Sequence, residues 1–237
     1  MKKRKKKTFS YLFILFCVIG SVSVTAQETQ GEKPLDKIKL AEQIPEESLS
    51  SMSTEQLIQS YLNSRYPGYL LIYNDINNAF DHAYRDYNGL RELLKRADAA
   101  QELIRFYQKM DPVAYNSDWE PVKKGAFSFS FVFVETLLAH QSIHKKLTKS
   151  QVKTLLTELL KKYELKRHHP ELYSTFGIQY TAYSIAQLLE SKGKDSGITN
   201  TFLQSPGIIY LLKTGKLQNN DLLPIIIQKA KEFLNTY

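Results

Sequence analysis

One segment of the sequence has the pattern of an amphipathic helix behind a recognisable start signal. Thr148 and Gln151 have the spacing of a capping box, in which the two side chains satisfy backbone N–H groups of the first helical turn. The apolar residues that follow recur every three or four positions: Val152, Leu155, Leu156, Leu159, Leu160 and Tyr163. Such a stripe is buried by packing against other helices, so this segment predicts a helical neighbourhood.

Similar signals for the start and end of a helix recur along the chain. Ser53 and Gln56 form a second capping box, Pro67-Gly68 ends that helix, and Gly193 fits the stop of a later one. Residues 127–133 alternate like a strand but also form two helical stripes, and we interpret them as a buried central helix. The sequence predicts an all-α fold with eight or nine helices in antiparallel pairs. Either a repeat-like α-α superhelix array or an irregular helical bundle satisfies this pattern.

The first 26 residues have the order of a secretory signal peptide. A basic head at residues 2–7 precedes an apolar run from Tyr11 to Gly20, and Val24 and Ala26 give an A-x-A-like cleavage site. We therefore expect export across the inner membrane, into the periplasm or out of the cell.

Two alternatives to a cleaved signal peptide are an uncleaved membrane anchor and a lipid anchor at Cys17. The run is shorter than the roughly 20 residues of a membrane-spanning helix, which disfavours an uncleaved anchor. Phe16 precedes Cys17, where a lipoprotein signal has a small residue, which disfavours lipid anchoring at Cys17. The sequence therefore favours cleavage before Gln27.

Removal of this segment changes the chemistry expected of the protein. The whole chain has 32 Lys+Arg and 24 Asp+Glu, but six of the basic residues lie in the head, which leaves 26 against 24. A nearly neutral domain gives no indication of a nucleic-acid partner. The basic cluster Lys161, Lys162, Lys166 and Arg167 is typical of a solvated last helical turn. The one cysteine also lies in the signal, which excludes disulfides and thiolate chemistry from the rest.

The remaining chain divides into a leader and a domain. Residues 27–50 are polar, free of aromatics and interrupted by Pro34 and Pro45, which predicts a flexible leader. Residues 51–237 then form a single helical domain, including a short helix at 206–213 and a last one at 220–234. No later segment is long and apolar enough to predict a membrane span.

Two histidines form the most specific candidate for a metal site. His140 and His144 are four residues apart, on one face of a predicted helix, and imidazoles at that spacing can ligate zinc. Gln141 stands where a zinc protease has its glutamate base, and no third ligand is evident nearby. The alternative is a pair of exposed histidines near a helix end. No cofactor is predicted.

Aromatic residues suggest a second kind of site. Most tyrosines fall on apolar helix stripes, where the ring is buried. Tyr66, Tyr69 and Trp119 instead fall in predicted loops and are the candidates for ligand contacts at the surface. No residue stands out as catalytic, because the sequence has no GxSxG, GxGxxG, P-loop or complete zinc-protease motif.

Three stretches of the chain carry a resemblance: Ser53–Leu57, Tyr87–Asp98, and Leu160–Lys166 with His169–Ser174. Over a similarity from Ser53 to Leu189, they resemble a group of exported helical proteins from anaerobic Gram-negative gut bacteria that have no assigned activity. The resemblance implies an exported, all-helical protein and transfers no functional residue.

Two hypotheses on function follow. The first is an exported binding protein that offers a groove or concave face to a protein, peptide or glycan. The second is a hydrolase whose site is assembled from distant residues, with a metal at His140 and His144 as one version. The oligomeric state is not indicated.

Overall fold

All regular structure described in the computed structural model is helical. The structure describes residues 43–73, 76–193 and 222–237. The predicted signal peptide, most of the predicted leader and the helix predicted at 206–213 lie outside these residues. Within them, the all-α prediction is confirmed, with eight helices of seven or more residues. None of the described helices is long and apolar enough to cross a membrane.

The elements follow one another with short connections. In chain order they are α1 (Glu46–Leu49), α2 (Thr54–Asn63), a 3₁₀ turn (Tyr66–Gly68), α3 (Tyr69–Ile72), α4 (Ile76–Asp86), α5 (Asn88–Lys95), α6 (Ala99–Lys109), α7 (Pro121–Ala139), α8 (Gln141–His144), α9 (Lys149–Arg167), α10 (Thr175–Ser191) and α11 (Leu222–Thr236).

The helices pack as a bundle around one main core. Buried side chains from Leu49 in α1 to Phe233 in α11 belong to a single cluster. Helices distant in sequence touch one another: α7 packs on α10, α6 on α9, and α2 on α7. In a solenoid each unit contacts only its neighbours along the chain. The described helices therefore form a packed bundle and not the superhelix-like array.

Both capping boxes are present. Gln56 donates its backbone N–H to Ser53 Oγ at 3.2 Å, and Ser53 donates its own to Gln56 Oε1 at 2.8 Å. Thr148 and Gln151 make the same pair of bonds at 3.2 and 2.9 Å. Gly193, which follows α10, has a φ of 66°. This left-handed backbone conformation often ends a helix, and glycine adopts it more readily than residues that have a Cβ atom. Local sequence thus sets where these helices begin and end.

The ambiguous Phe-rich stretch lies inside α7, as predicted. α7 starts with Pro121 at its first position, where a missing N–H costs nothing, and continues to Ala139. Its stripe of Phe131, Val134 and Leu138 is buried in the main core. α7 contacts α6, α8 and α10, so it is the central helix of the bundle.

Residues 43–50, the described end of the leader predicted at 27–50, are fixed to the domain and do not form a flexible segment. Asn88 donates its side-chain N–H to the Ile44 carbonyl at 2.7 Å and accepts the Ile44 N–H at 3.0 Å. The Asn88 backbone N–H donates to Gln43 Oε1 at 2.9 Å, and Leu49 is buried in the core. In the folded protein these hydrogen bonds replace the ones that the same polar groups make to water in the unfolded chain. A polar segment can therefore pack against the domain although it has no apolar stripe.

Candidate functional site

A cleft of about 440 Å³ opens where α4, α7, α8 and α10 meet. It borders a small satellite core, to which Val132, Tyr180 and Tyr183 contribute. Among the side chains that line the cleft are those of Asp81, His140, Tyr183 and Gln187. This volume lies within the range of about 300–1,000 Å³ found for small-ligand sites.

His140 occupies the break between two helices. α7 ends at Ala139, and His140 is the N-cap of α8, where its Nδ1 accepts the Ser142 N–H at 3.2 Å. Its ring stacks on Phe80 at a centroid distance of 3.9 Å. Because Nδ1 is an acceptor, Nε2 carries the proton in the neutral ring. The predicted continuous helix through His140 and His144 is therefore interrupted.

Burial keeps the His140 imidazole neutral. Desolvation lowers its pKa, with Asp81 acting in the opposite direction and Lys145 adding to the decrease. A neutral, hydrogen-bonded imidazole stacked on a phenyl ring forms part of a binding wall. It also retains an N–H for a ligand acceptor.

His144 is a core residue and does not complete a metal site. Only 3% of it is exposed, and its pKa falls to about 4 because of burial and the nearby Lys192 ammonium. The described part of the chain contains no group of three or more His, Cys, Asp or Glu residues that could hold a metal ion. The expectation of two exposed histidines is likewise wrong for His144, since α8 packs against α6, α7 and α10.

Two tyrosines form an apolar wall of the cleft. Tyr180 and Tyr183 lie on α10 with ring centroids 5.5 Å apart, and both are largely buried. The Tyr180 hydroxyl shares a hydrogen bond with Thr136 at 2.8 Å. Burial raises the Tyr180 pKa well above its usual value, so this ring is neutral. The cleft thus combines aromatic surface with hydroxyl, amide and imidazole groups.

Tyr66, a predicted surface contact, is a core residue. It is 0% exposed and stacks on Tyr87 with ring centroids 4.8 Å apart. The Pro67-Gly68 pair does not open a loop: it forms a 3₁₀ turn that leads directly into α3. The chain turns inward there, and the ring fills the core.

The other two predicted contacts are engaged by neighbours in the protein. Tyr69 is half-buried, and its hydroxyl donates to Asp86 Oδ2 at 3.2 Å. Trp119 is half-buried as well, and the Lys123 ammonium lies 4.2 Å from its ring centroid. Neither residue lines the cleft.

A fully buried polar network in the core escaped the sequence analysis. Glu135 of α7 accepts hydrogen bonds from Lys166 Nζ at 2.7 Å and from the Tyr107 hydroxyl at 2.5 Å. Thr181 lies 3.1 Å from both carboxylate oxygens. Both Lys162 and Lys166 are buried, so half of the basic cluster is not a solvated turn. Their positions, three and seven residues after Leu159, continue the apolar stripe of α9, which is the signal that could have revealed them.

The described residues that line the cleft do not include the pair of acids that glycoside hydrolysis uses. Glycoside hydrolysis uses a pair of carboxyl groups on either side of the bond that breaks. Asp81 is the one acid among the residues that line the cleft in the described structure. Glu135 is sealed in the core. The described residues therefore offer a binding site more readily than a pair of acids.

A second groove, of about 370 Å³, lies between α6 and the start of α9. It is more open than the cleft at His140, and its Arg105 is already paired with Glu102 at 2.7 Å. Thr148 and Gln151, which line it, are occupied by the capping box. This groove offers fewer uncommitted groups.

Comparison with known proteins adds no assignment. A scan against protein families, a search of curated proteins and a search of solved structures each find no match for this chain.

Proposed function

We propose that this protein is an exported binding protein that takes a small polar ligand into the cleft at His140. The observation that carries the proposal is the composition of the cleft. Aromatic rings of Phe80 and Tyr183 stand beside the hydrogen-bonding groups of His140 and Gln187. Ligand sites combine apolar walls with a few polar groups in this way.

Export is part of the proposal. It is supported by the basic head, apolar run and small-residue site in the first 26 residues. An exported protein would meet its small ligand in the periplasm or outside the cell. Of the ligand classes in the first hypothesis, peptides and glycans include molecules small enough for this cleft.

A binding screen with cleft variants tests the proposal. Amino acids, dipeptides, monosaccharides and disaccharides are titrated into the purified protein, and chemical shifts are followed by NMR. We expect at least one compound to shift resonances around the cleft, and Gln187→Ala and His140→Ala to weaken its binding about tenfold or more. Gln59→Ala is the matched control, because Gln59 is exposed on α2 and lines neither the cleft nor the second groove.

Two outcomes contradict the proposal. One is that no compound of these classes binds. The other is that a compound binds but its affinity is the same in Gln187→Ala, His140→Ala and Gln59→Ala. Circular dichroism of each variant establishes that the helical fold is retained, so that a loss of binding is attributed to the cleft.

A further inference from the structure

Two opposite charges stand in the cleft without a partner of their own. Asp81 lies on α4, Lys145 follows α8, and both side chains are exposed and line the cleft. Across residues 43–73, 76–193 and 222–237, no side-chain hydrogen bond or ion pair engages either one. Some charged side chains elsewhere in the described structure are paired, such as Arg96 with Glu92 at 2.7 Å.

Both charges act on the same imidazole ring. Asp81 raises the pKa of His140, and Lys145 lowers it. The carboxylate and the ammonium line the same cleft as this ring, and they are not within ion-pair distance of each other. The His140 ring stacks on Phe80, which also lines the cleft.

This arrangement matches a ligand that carries both signs of charge. A cationic end placed at Asp81 and an anionic end placed at Lys145 would each gain a charge-assisted hydrogen bond. Gln187 can donate to and accept from an amide, and the Tyr180–Tyr183 wall can take an apolar side chain. The hydroxyls of a neutral sugar can hydrogen-bond to both groups, but they neutralise neither charge.

We propose that the ligand is a zwitterion of the amino-acid or short-peptide class, with its ammonium at Asp81 and its carboxylate at Lys145. This inference rests on the proposed function and specifies its ligand. The ring stack of Phe80 and His140 forms the floor between the two charged ends. The side chain of the ligand lies against the tyrosines of α10.

Calorimetric titration with three forms of the same dipeptide tests the assignment of each end. The forms are free glycyl-phenylalanine, its N-acetyl derivative and its C-terminal amide. We expect the free dipeptide to bind about tenfold more tightly than either capped form, which corresponds to about 1.4 kcal/mol per charged contact. Asp81→Asn abolishes the preference against N-acetylation alone. Lys145→Met abolishes the preference against the amide alone.

Matched controls and the other outcomes complete the design. Glu47→Gln and Lys153→Met change exposed charges outside the cleft and should leave all three affinities unaltered. Equal binding of free and capped forms overturns the zwitterion proposal, as does a crossed pattern in the two variants. If maltose binds in the cleft and the dipeptides do not, the proposed binding function stands and this inference fails. If neither class binds, both fail.

Discussion

Lys166 Nζ lies 2.7 Å from Glu135 Oε1, and both side chains are fully buried. Four helices meet at this carboxylate, because Tyr107 comes from α6, Glu135 from α7, Lys166 from α9 and Thr181 from α10. Burial lowers the Lys166 pKa, which the negative charge of Glu135 partly counteracts. The pair satisfies both charges, but it does so only if all four helices are in place.

Breaking this pair should be strongly destabilising. In Lys166→Met the carboxylate of Glu135 stays buried without its cation, and we expect a loss of about 3–5 kcal/mol in the free energy of unfolding. Urea unfolding followed by circular dichroism measures it. The double variant Glu135→Gln with Lys166→Met should lose less than the sum of the single changes, because no unpaired charge remains.

Lys161→Met is the control, since this lysine is exposed on the same helix. It should change stability by less than about 0.5 kcal/mol. A similar, small effect of Lys161→Met and Lys166→Met would show that the ion pair does not hold the helices together.

The stability should fall as the solution becomes acidic because of His144. Its pKa is about 4 in the folded protein and 6.5 in the unfolded chain. Between these values the unfolded chain binds the extra proton, so stability is full above pH 6.5 and is lost as pH falls towards 4. The Lys192 ammonium lowers this pKa, as does His140 when it is protonated, whereas the hydrogen bond with the Leu138 backbone raises it.

Removal of the imidazole should flatten this dependence. One group contributes a slope of up to about 1.4 kcal/mol per pH unit within that window. We expect His144→Leu to show a smaller decrease in unfolding free energy from pH 7 to pH 4 than the natural protein does. His168→Gln, at an exposed position, should keep the original slope. Parallel curves for the natural protein and His144→Leu would contradict the assignment.

The Asn88 side chain should hold the chain segment before α1. Asn88→Ala removes two hydrogen bonds to Ile44, each worth about 1 kcal/mol, so we expect about 2 kcal/mol of destabilisation. Hydrogen exchange measured by mass spectrometry should accelerate at residues 43–50 before the rest of the domain. Asn88→Asp should have an intermediate effect, because a carboxylate accepts the Ile44 N–H but cannot donate to its carbonyl.

Asn63→Ala is the matched control, since Asn63 is exposed on α2. It should leave exchange at residues 43–50 unaltered. If Asn88→Ala also leaves it unaltered, the segment is held by its other contacts, such as buried Leu49 and the hydrogen bonds of Gln43, and not by the asparagine side chain.

The sequence could predict those features that depend on near neighbours in the chain. The capping boxes at Ser53 and Thr148 and the stripe of α9 follow from spacing alone, and so does the helical state of α7. The spacing of α9 could have indicated that Lys166 is buried, but not that Glu135 is its partner. The contact of Tyr66 with Tyr87 is equally hidden, because these partners lie 21 or more residues apart in the chain. The cleft escaped for the same reason, because α4, α7, α8 and α10 contribute to it separately.

Cleavage after Ala26 is the remaining prediction, and it tests the proposed export. Expression of the whole chain in a Gram-negative host should give a protein that begins at Gln27 in intact-mass spectrometry of the periplasmic or secreted fraction. Ala26→Leu should block processing, because the cleavage site requires a small residue there. Cys17→Ser should be processed normally, since the thiol has no part in this route. A product that keeps the first 26 residues, or one with a lipid on Cys17, would contradict the signal-peptide interpretation.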